Sequence, residues 1–193
     1  MAHRKARGLT LLELLVALAV AAVLAAVAVP SFEAIAVRNR LSLSANQLLG
    51  AMLAARNLAI TRNVRATFCA GSADDGCHRD WARGEWIVFI DRDGDGAFEQ
   101  DDELHAIGSL PSPDTLVIAG NGPFNSAIVF RPSGAATWPS GAFAAGRLRT
   151  CAVSAVSPNA VELVLIGSGR AVSQTCDLNG LCPLLSDQSN RCR

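Results

Sequence analysis

A chain of 193 residues, half of them hydrophobic, has room for one ordinary domain and one further element. Its 17 basic and 17 acidic residues cancel, which excludes a generally polycationic nucleic-acid binder. The even set of six cysteines lies wholly beyond the first apolar stretch, which argues for disulfides made in an oxidising compartment.

Residues 1–8 are short and basic, with His3, Arg4, Lys5 and Arg7. Residues 9–29 are then apolar except for Thr10 and Glu13. A helix of that length spans roughly 30 Å, the hydrocarbon thickness of a bilayer. The preceding positive charge puts the leader in the cytoplasm and the remainder outside. A secretory signal peptide is the rival reading, with Ala26-Val27-Ala28 as its cleavage site. A signal peptide, however, has no use for a carboxylate inside its apolar run. An acid within a spanning helix costs about 2.5–3.5 kcal/mol on insertion scales, so Glu13 should have a functional partner. Cutting after Gly8 would create an α-amino group on Leu9 able to neutralise Glu13 of a neighbouring subunit.

The run Arg7-Gly8-Leu9-Thr10-Leu11-Leu12-Glu13-Leu14 resembles the class III leader of type IV prepilins and type II secretion pseudopilins. The resemblance implies that a prepilin peptidase cuts after Gly8 and methylates the new amino terminus at Leu9. It also implies that Glu13 recruits the subunit into a filament. The sequence departs from the family at Leu9, where phenylalanine or methionine is usual. Loss of the leader leaves 14 basic residues against 17 acidic ones.

Pro30 should bend or locally melt the helix. Beyond it Leu41, Ala45, Leu48, Met52, Ala55 and Ala59 recur at helical spacing, which predicts an amphipathic continuation packed on the exported domain. The reading is one long helix from about residue 9 to about residue 62. After Asn63 come short strand-like runs at 64–69, 86–90, 116–119, 127–131, 148–155 and 160–166, divided by Gly, Pro, Asn and Asp. The expected fold is α+β: one long N-terminal helix, membrane-spanning in its first half, against small antiparallel sheets. The expected organisation is a leader (1–8), a transmembrane or filament-core half-helix (9–30), an amphipathic half-helix (31–63) and an exported disulfide-bonded β-rich domain (64–193).

Phe68-Cys69, Cys77, the segment 84–91, Phe130-Arg131-Pro132-Ser133-Gly134 and Ile166-Gly167-Ser168-Gly169-Arg170 follow in an order similar to the GspH/FimT group of minor pilins and pseudopilins. That resemblance implies a pilin-like fold of two small sheets beside the helix. It implies a low-abundance subunit at or near the filament tip that primes assembly.

Six cysteines allow fifteen complete pairings. The expected set is Cys69–Cys77, Cys151–Cys176 and Cys182–Cys192. His78 beside Cys77 hints at zinc, but no Cys-x-x-Cys accompanies it, and structural zinc wants four ligands at tight spacing.

Two sites invite a ligand. Asp91, Asp93 and Asp95 stand at positions one, three and five of a calcium-type loop, with glycine at six, Glu99 at nine and Asp102 at twelve. Either Ca²⁺ or solvent must relieve the repulsion, and the flank is a strand rather than an EF-hand helix. Arg147, Arg149, Arg170, Arg191 and Arg193 form a candidate phosphate-contacting set in the last third. Some FimT-type minor pilins bind DNA through a Gly-Arg-x-Arg motif near the carboxyl end. Here the segment that best aligns reads Gly169-Arg170-Ala171-Val172, without the second arginine.

No nucleophile, metal or phosphate-loop signature supports an enzyme. The expected function is a minor pilin of a type IV pilus that primes assembly. The alternatives are a DNA-binding minor pilin for transformation and a GspH-like type II secretion pseudopilin. Expected partners are other minor and major pilins, the prepilin peptidase and the inner-membrane assembly platform. No cofactor is required, with Ca²⁺ as the one candidate. The expected location is the inner membrane, single-pass with a periplasmic C-terminal domain, and the filament after assembly.

Overall fold

The computed structural model describes residues 10–111, 115–152 and 156–178. The chain divides into two units, Met1–Ala36 and Val37–Arg193. Helix α1 runs from Leu11 to Arg62 and contributes to both.

In the first unit, Leu11, Leu12, Leu18, Val23, Leu24 and Phe32 are all more than half exposed. An 18-residue apolar window of the helix has no buried share at all. A stretch this apolar and uncovered needs lipid or other subunits around it. Helical structure continues through Pro30, so the expected local melting does not occur. The lost donor is one bond in a helix of 52 residues, whose turns on both sides hold the conformation.

In the second unit the predicted stripe is the core face. Leu41, Ala45, Leu48, Met52, Ala55 and Ala59 are buried, joined by Ser44, Ala51 and Leu58. The spacing of three and four residues keeps them on one side of the helix.

The strands are β1 (Ala66–Ser72), β2 (Gly76–Cys77), β3 (Glu85–Ile90), β4 (Glu103–Ser109), β5 (Val117–Gly120), β6 (Ile128–Phe130), β7 (Ala136–Thr137), β8 (Gly146–Cys151), β9 (Ala160–Leu165) and β10 (Ala171–Cys176). They form two antiparallel sheets. The first has the order β4-β3-β1-β6-β7 with β2 paired to β1; the second has the order β10-β9-β8-β5. The α+β expectation holds. β2, β4, β7 and β10 fall outside the predicted runs, and β8 stops at Cys151 rather than running to residue 155.

Phe68, Trp86, Val88 and Phe130 of the first sheet, with Leu148, Val161, Leu163 and Leu165 of the second, share one core with the helix. Trp81 enters the same core, and its indole N–H donates to the Phe124 carbonyl at 2.8 Å. The first sheet is buried on its other face as well: Cys69, Ile87, Phe89 and Ala127 form a second cluster with Cys77 and Phe98. Side chains alternate along a strand, so β3 feeds both clusters with successive residues.

Candidate functional site

The first candidate lies at the start of α1. Thr10 and Glu13 form a reciprocal cap. The Thr10 backbone N–H donates to Glu13 Oε2 at 3.0 Å, and the Glu13 N–H donates to Thr10 Oγ1 at 3.2 Å. The Thr10 hydroxyl also donates to Glu13 Oε2 at 3.2 Å. This is the capping-box geometry of a Thr-x-x-Glu sequence, which satisfies donors that a helix start leaves without partners. The reading of Glu13 as an assembly residue overlooked its local neighbour. The signal was the spacing of Thr10 and Glu13. Gly8 and Leu9, the cleavage and methylation site, lie outside the described residues.

The second candidate is the acidic loop between β3 and β4. Alternation along β3 sends Asp91 to the same face as Thr67 of β1, and both are fully buried. The Thr67 hydroxyl donates to Asp91 Oδ2 at 2.7 Å. The Gly94 N–H donates to Oδ1 at 2.6 Å and the Gly96 N–H to Oδ2 at 3.1 Å. Burial raises the Asp91 pKa above its ordinary 3.8, against the lowering effect of these three bonds. Asp93 accepts the Asp95 N–H at 3.3 Å, and Asp95 accepts the Ala97 N–H at 2.7 Å. Gly94 has φ +83°, and a Cβ there would lie 2.6 Å from Arg65 Nε, so the turn needs glycine. The Arg65 guanidinium donates to the Arg92 carbonyl across this turn.

Ligand atoms of Asp91, Asp93 and Asp95 lie within 4.8 Å of one another. They offer three of the six to eight oxygens that calcium takes, at roughly 2.3–2.6 Å each. Glu99 and Asp102 stand outside that group. Asp102 instead closes the far end of the loop, accepting the N–H groups of Arg92 and Glu99 at 3.1 Å each. Of the five expected ligands the structure therefore brings together three. The loop also covers the outer face of the first sheet, where Phe98 packs edge-on to Phe89 with centroids 5.1 Å apart.

The third candidate is the arginine set. Arg149 is buried, and its Nε and Nη2 donate to Glu162 Oε1 at 3.3 and 2.9 Å. Arg147 donates to Glu162 Oε2 at 3.0 Å, and Gln174 donates to the same oxygen at 2.9 Å. Arg149 is thus corrected from a nucleic-acid contact to part of an internal ion pair. Glu162 stands opposite it in the register of β8 and β9, a neighbour that alternation alone does not reveal. Arg147 and Arg170 are exposed; Arg191 and Arg193 lie outside the described residues.

The cysteines resolve in part. Cys69–Cys77 is formed, with Cα atoms 5.7 Å apart, which removes Cys77 as a metal ligand. His78 accepts the Asp80 N–H through Nδ1, and its Nε2 lies 3.6 Å from Glu85 Oε2. Cys151 and Cys176 are each disulfide-bonded, but the expected Cys151–Cys176 bond is overturned. Both stand opposite Ala160, on the two sides of β9. Two strand spacings separate them by roughly 9.5 Å, beyond the roughly 4.4–6.8 Å that a disulfide spans between Cα atoms. Cys182 and Cys192 lie outside the described residues.

A profile of the prokaryotic N-terminal methylation motif matches residues 3–29, and the profile described as type II transport protein GspH matches residues 44–172. No curated protein sequence matches the chain. Among solved structures, it is similar to the type IV minor pilin FimU of Pseudomonas aeruginosa, at 15% identity and a TM-score of 0.51, over 71% of this chain and 90% of that one. It is also similar to the minor pseudopilin EpsH from the type 2 secretion system of Vibrio cholerae, at 12% identity and a TM-score of 0.48, over 70% and 97% of the two chains. The FimU likeness concerns the fold, one N-terminal helix followed by antiparallel sheets. With the profile spanning well over half of its length, behind a methylation motif and an uncovered apolar helix, the chain belongs to the GspH family of pilin-like proteins.

Proposed function

We propose that this protein is a minor pilin of a type IV pilus, inserted at or near the filament tip to prime assembly. The observation that carries the reading is the apolar helix of the first unit, with no buried share, whose start is closed by the Thr10–Glu13 cap. Before assembly the helix anchors the protein in the inner membrane, with the second unit in the periplasm. The prepilin peptidase removes residues 1–8 and methylates Leu9. In the filament, the new amino group and Glu13 of adjacent subunits neutralise each other, and other minor and major pilins cover the apolar surface. The cap holds the Glu13 carboxylate within the first turn, at the depth of the helix terminus. The inner-membrane assembly platform is the expected site of insertion, and no catalysis is part of this reading.

A pseudopilin of a type II secretion system uses the same parts, and the description of the matching family favours it as the second reading. A DNA-receptor role retains Arg147 and Arg170 among the described residues, while Arg149 is engaged inside the protein. Deleting the gene in its host and counting surface filaments tests the proposal, with secreted enzymes and DNA uptake measured in parallel. Loss of filaments, restored by the wild-type chain and not by Glu13→Ala, supports the pilus role. Normal filaments with a loss of secretion would transfer the protein to the secretion system.

A further inference from the structure

Beside the first turn of the acidic loop the second unit holds a cleft of about 730 Å³. That volume lies within the roughly 300–1,000 Å³ of ligand sites. Val129 and Thr137, paired across β6 and β7, line it together with Asp91. The start of β1 and the loop supply Arg65 and Arg92 to its lining; the β6–β7 side supplies Arg131, Trp138 and Pro139.

The three arginines are exposed, and each is tethered by a backbone carbonyl. Arg65 donates to the Arg92 carbonyl, Arg92 Nε to the Asp101 carbonyl at 2.6 Å, and Arg131 Nη2 to the Gly141 carbonyl at 3.0 Å. A neutral carbonyl takes one donor of a guanidinium and leaves its charge and its other N–H groups in place. Among the described residues, the arginines in ion pairs are Arg62, Arg83, Arg147 and Arg149, so the positive charge of this cleft is not neutralised by a carboxylate of its own chain. The Asp91 carboxylate is directed instead to the Thr67 hydroxyl and to the N–H groups of Gly94 and Gly96.

We propose that this cleft docks an acidic segment of a protein partner, its carboxylates held by Arg65 and Arg131 and an apolar side chain between them laid on Trp138 and Pro139. Tethered guanidinium groups present planar forks that match carboxylates and lose little freedom on binding. Tryptophan and arginine in one concave surface are the residue types that dominate protein–protein contacts. A nucleic-acid strand fits less well. Its charge repeats at every nucleotide, and beyond Arg92 it would meet exposed Asp93, Asp95, Glu99 and Asp101. The filament reading supplies the partner, an adjoining subunit, but the binding itself is measurable without a filament.

The test uses the full mature protein in detergent and two blocked peptides, Glu-Leu-Glu-Leu-Glu and Gln-Leu-Gln-Leu-Gln, with tryptophan emission as the readout. The acidic peptide should change the emission of wild type and not of Trp138→Phe, and its affinity should fall as salt rises. The glutamine peptide should bind at least tenfold more weakly, a comparison that needs no variant. Arg65→Gln with Arg131→Gln should weaken the acidic peptide at least tenfold, while Arg83→Gln, outside the cleft, leaves it unchanged. Equal affinity for the two peptides, no response at millimolar peptide, or binding indifferent to the arginine pair would overturn the inference. A single-stranded oligonucleotide that binds more tightly through the same arginines would also overturn it, assigning the cleft to nucleic acid. Failure of filament formation in the gene deletion, or its absence, leaves these outcomes unaltered, so the two readings fail separately.

Discussion

Replacing Asp91 with alanine separates the two explanations of the acidic loop. The carboxylate accepts three donors, of which the Thr67 hydroxyl and the Gly96 N–H are buried and the Gly94 N–H partly so. A buried donor left without a partner costs about 1–3 kcal/mol. Relief of the carboxylate's own desolvation offsets part of that, so the expected loss is about 2–4 kcal/mol for Asp91→Ala. For a unit of this size each kcal/mol lowers the melting temperature by roughly 2–4 °C, so the shift should be roughly 5–15 °C. Asp93→Ala and Asp95→Ala each remove one bond at an exposed site and should cost less than about 1 kcal/mol. Because burial raises the Asp91 pKa, the folded state binds its proton more tightly than the unfolded state does. Its contribution to stability is therefore fully present below pH 3.8 and declines as pH rises through the folded value. The stability of wild type relative to Asp91→Asn should accordingly grow as pH falls from neutral toward 4. The assay is thermal unfolding of the soluble unit from Val37, with and without millimolar Ca²⁺. Melting of Asp91→Ala within a degree of wild type would refute the hydrogen-bond account. A Ca²⁺-dependent rise in wild type, abolished equally by all three substitutions, would make the loop a cation site instead.

Other perturbations have equally definite signs. Gly169 has φ +76°, and a Cβ there would lie 1.9 Å from the Gly134 carbonyl oxygen, so Gly169→Ala should cost more than about 2 kcal/mol in urea unfolding. Gly50 lies in the helix with nothing within 4 Å of a built Cβ, so Gly50→Ala should stabilise by about 0.5–1 kcal/mol in the same assay. Leu48 is fully buried in the core that the helix shares with the sheets, and Leu48→Ala should lower stability by about 2–5 kcal/mol. Removing the Cys69–Cys77 bond, eight residues apart in sequence, should cost about 2.5 kcal/mol from the freedom returned to the unfolded chain.

How much of this the sequence disclosed follows from the range over which each signal acts. The stripe from Leu41 to Ala59 was legible because a helix repeats its burial every three to four residues, and a single face tells the whole story. β3 was legible as a continuous apolar run because both faces of the first sheet are buried. β4 was not: Glu103, Leu104, His105 and Ile107 lie exposed along a sheet edge, where composition carries little burial signal. The fate of Arg149 depended on which residue of β9 faces it, a register that pairs positions 13 apart in sequence and that no local pattern encodes. The expected Cys151–Cys176 bond failed for the same reason, since proximity in sequence order said nothing of the strand between them, whereas Cys69–Cys77, eight residues apart, was read as it stands. The acidic spacing was read as a calcium-type loop in which Ca²⁺ or solvent relieves the repulsion. Its hydrogen-bond donors come partly from Thr67 on another strand, which spacing within the loop does not expose.

The most direct test of the central claim is the intact mass of the protein recovered from washed, sheared filaments and from the membrane fraction. The account predicts a low-abundance filament component beginning at N-methylated Leu9. A protein retaining residues 1–8, or one cut after Ala28 and released without its helix, absent from filaments in either case, would contradict it.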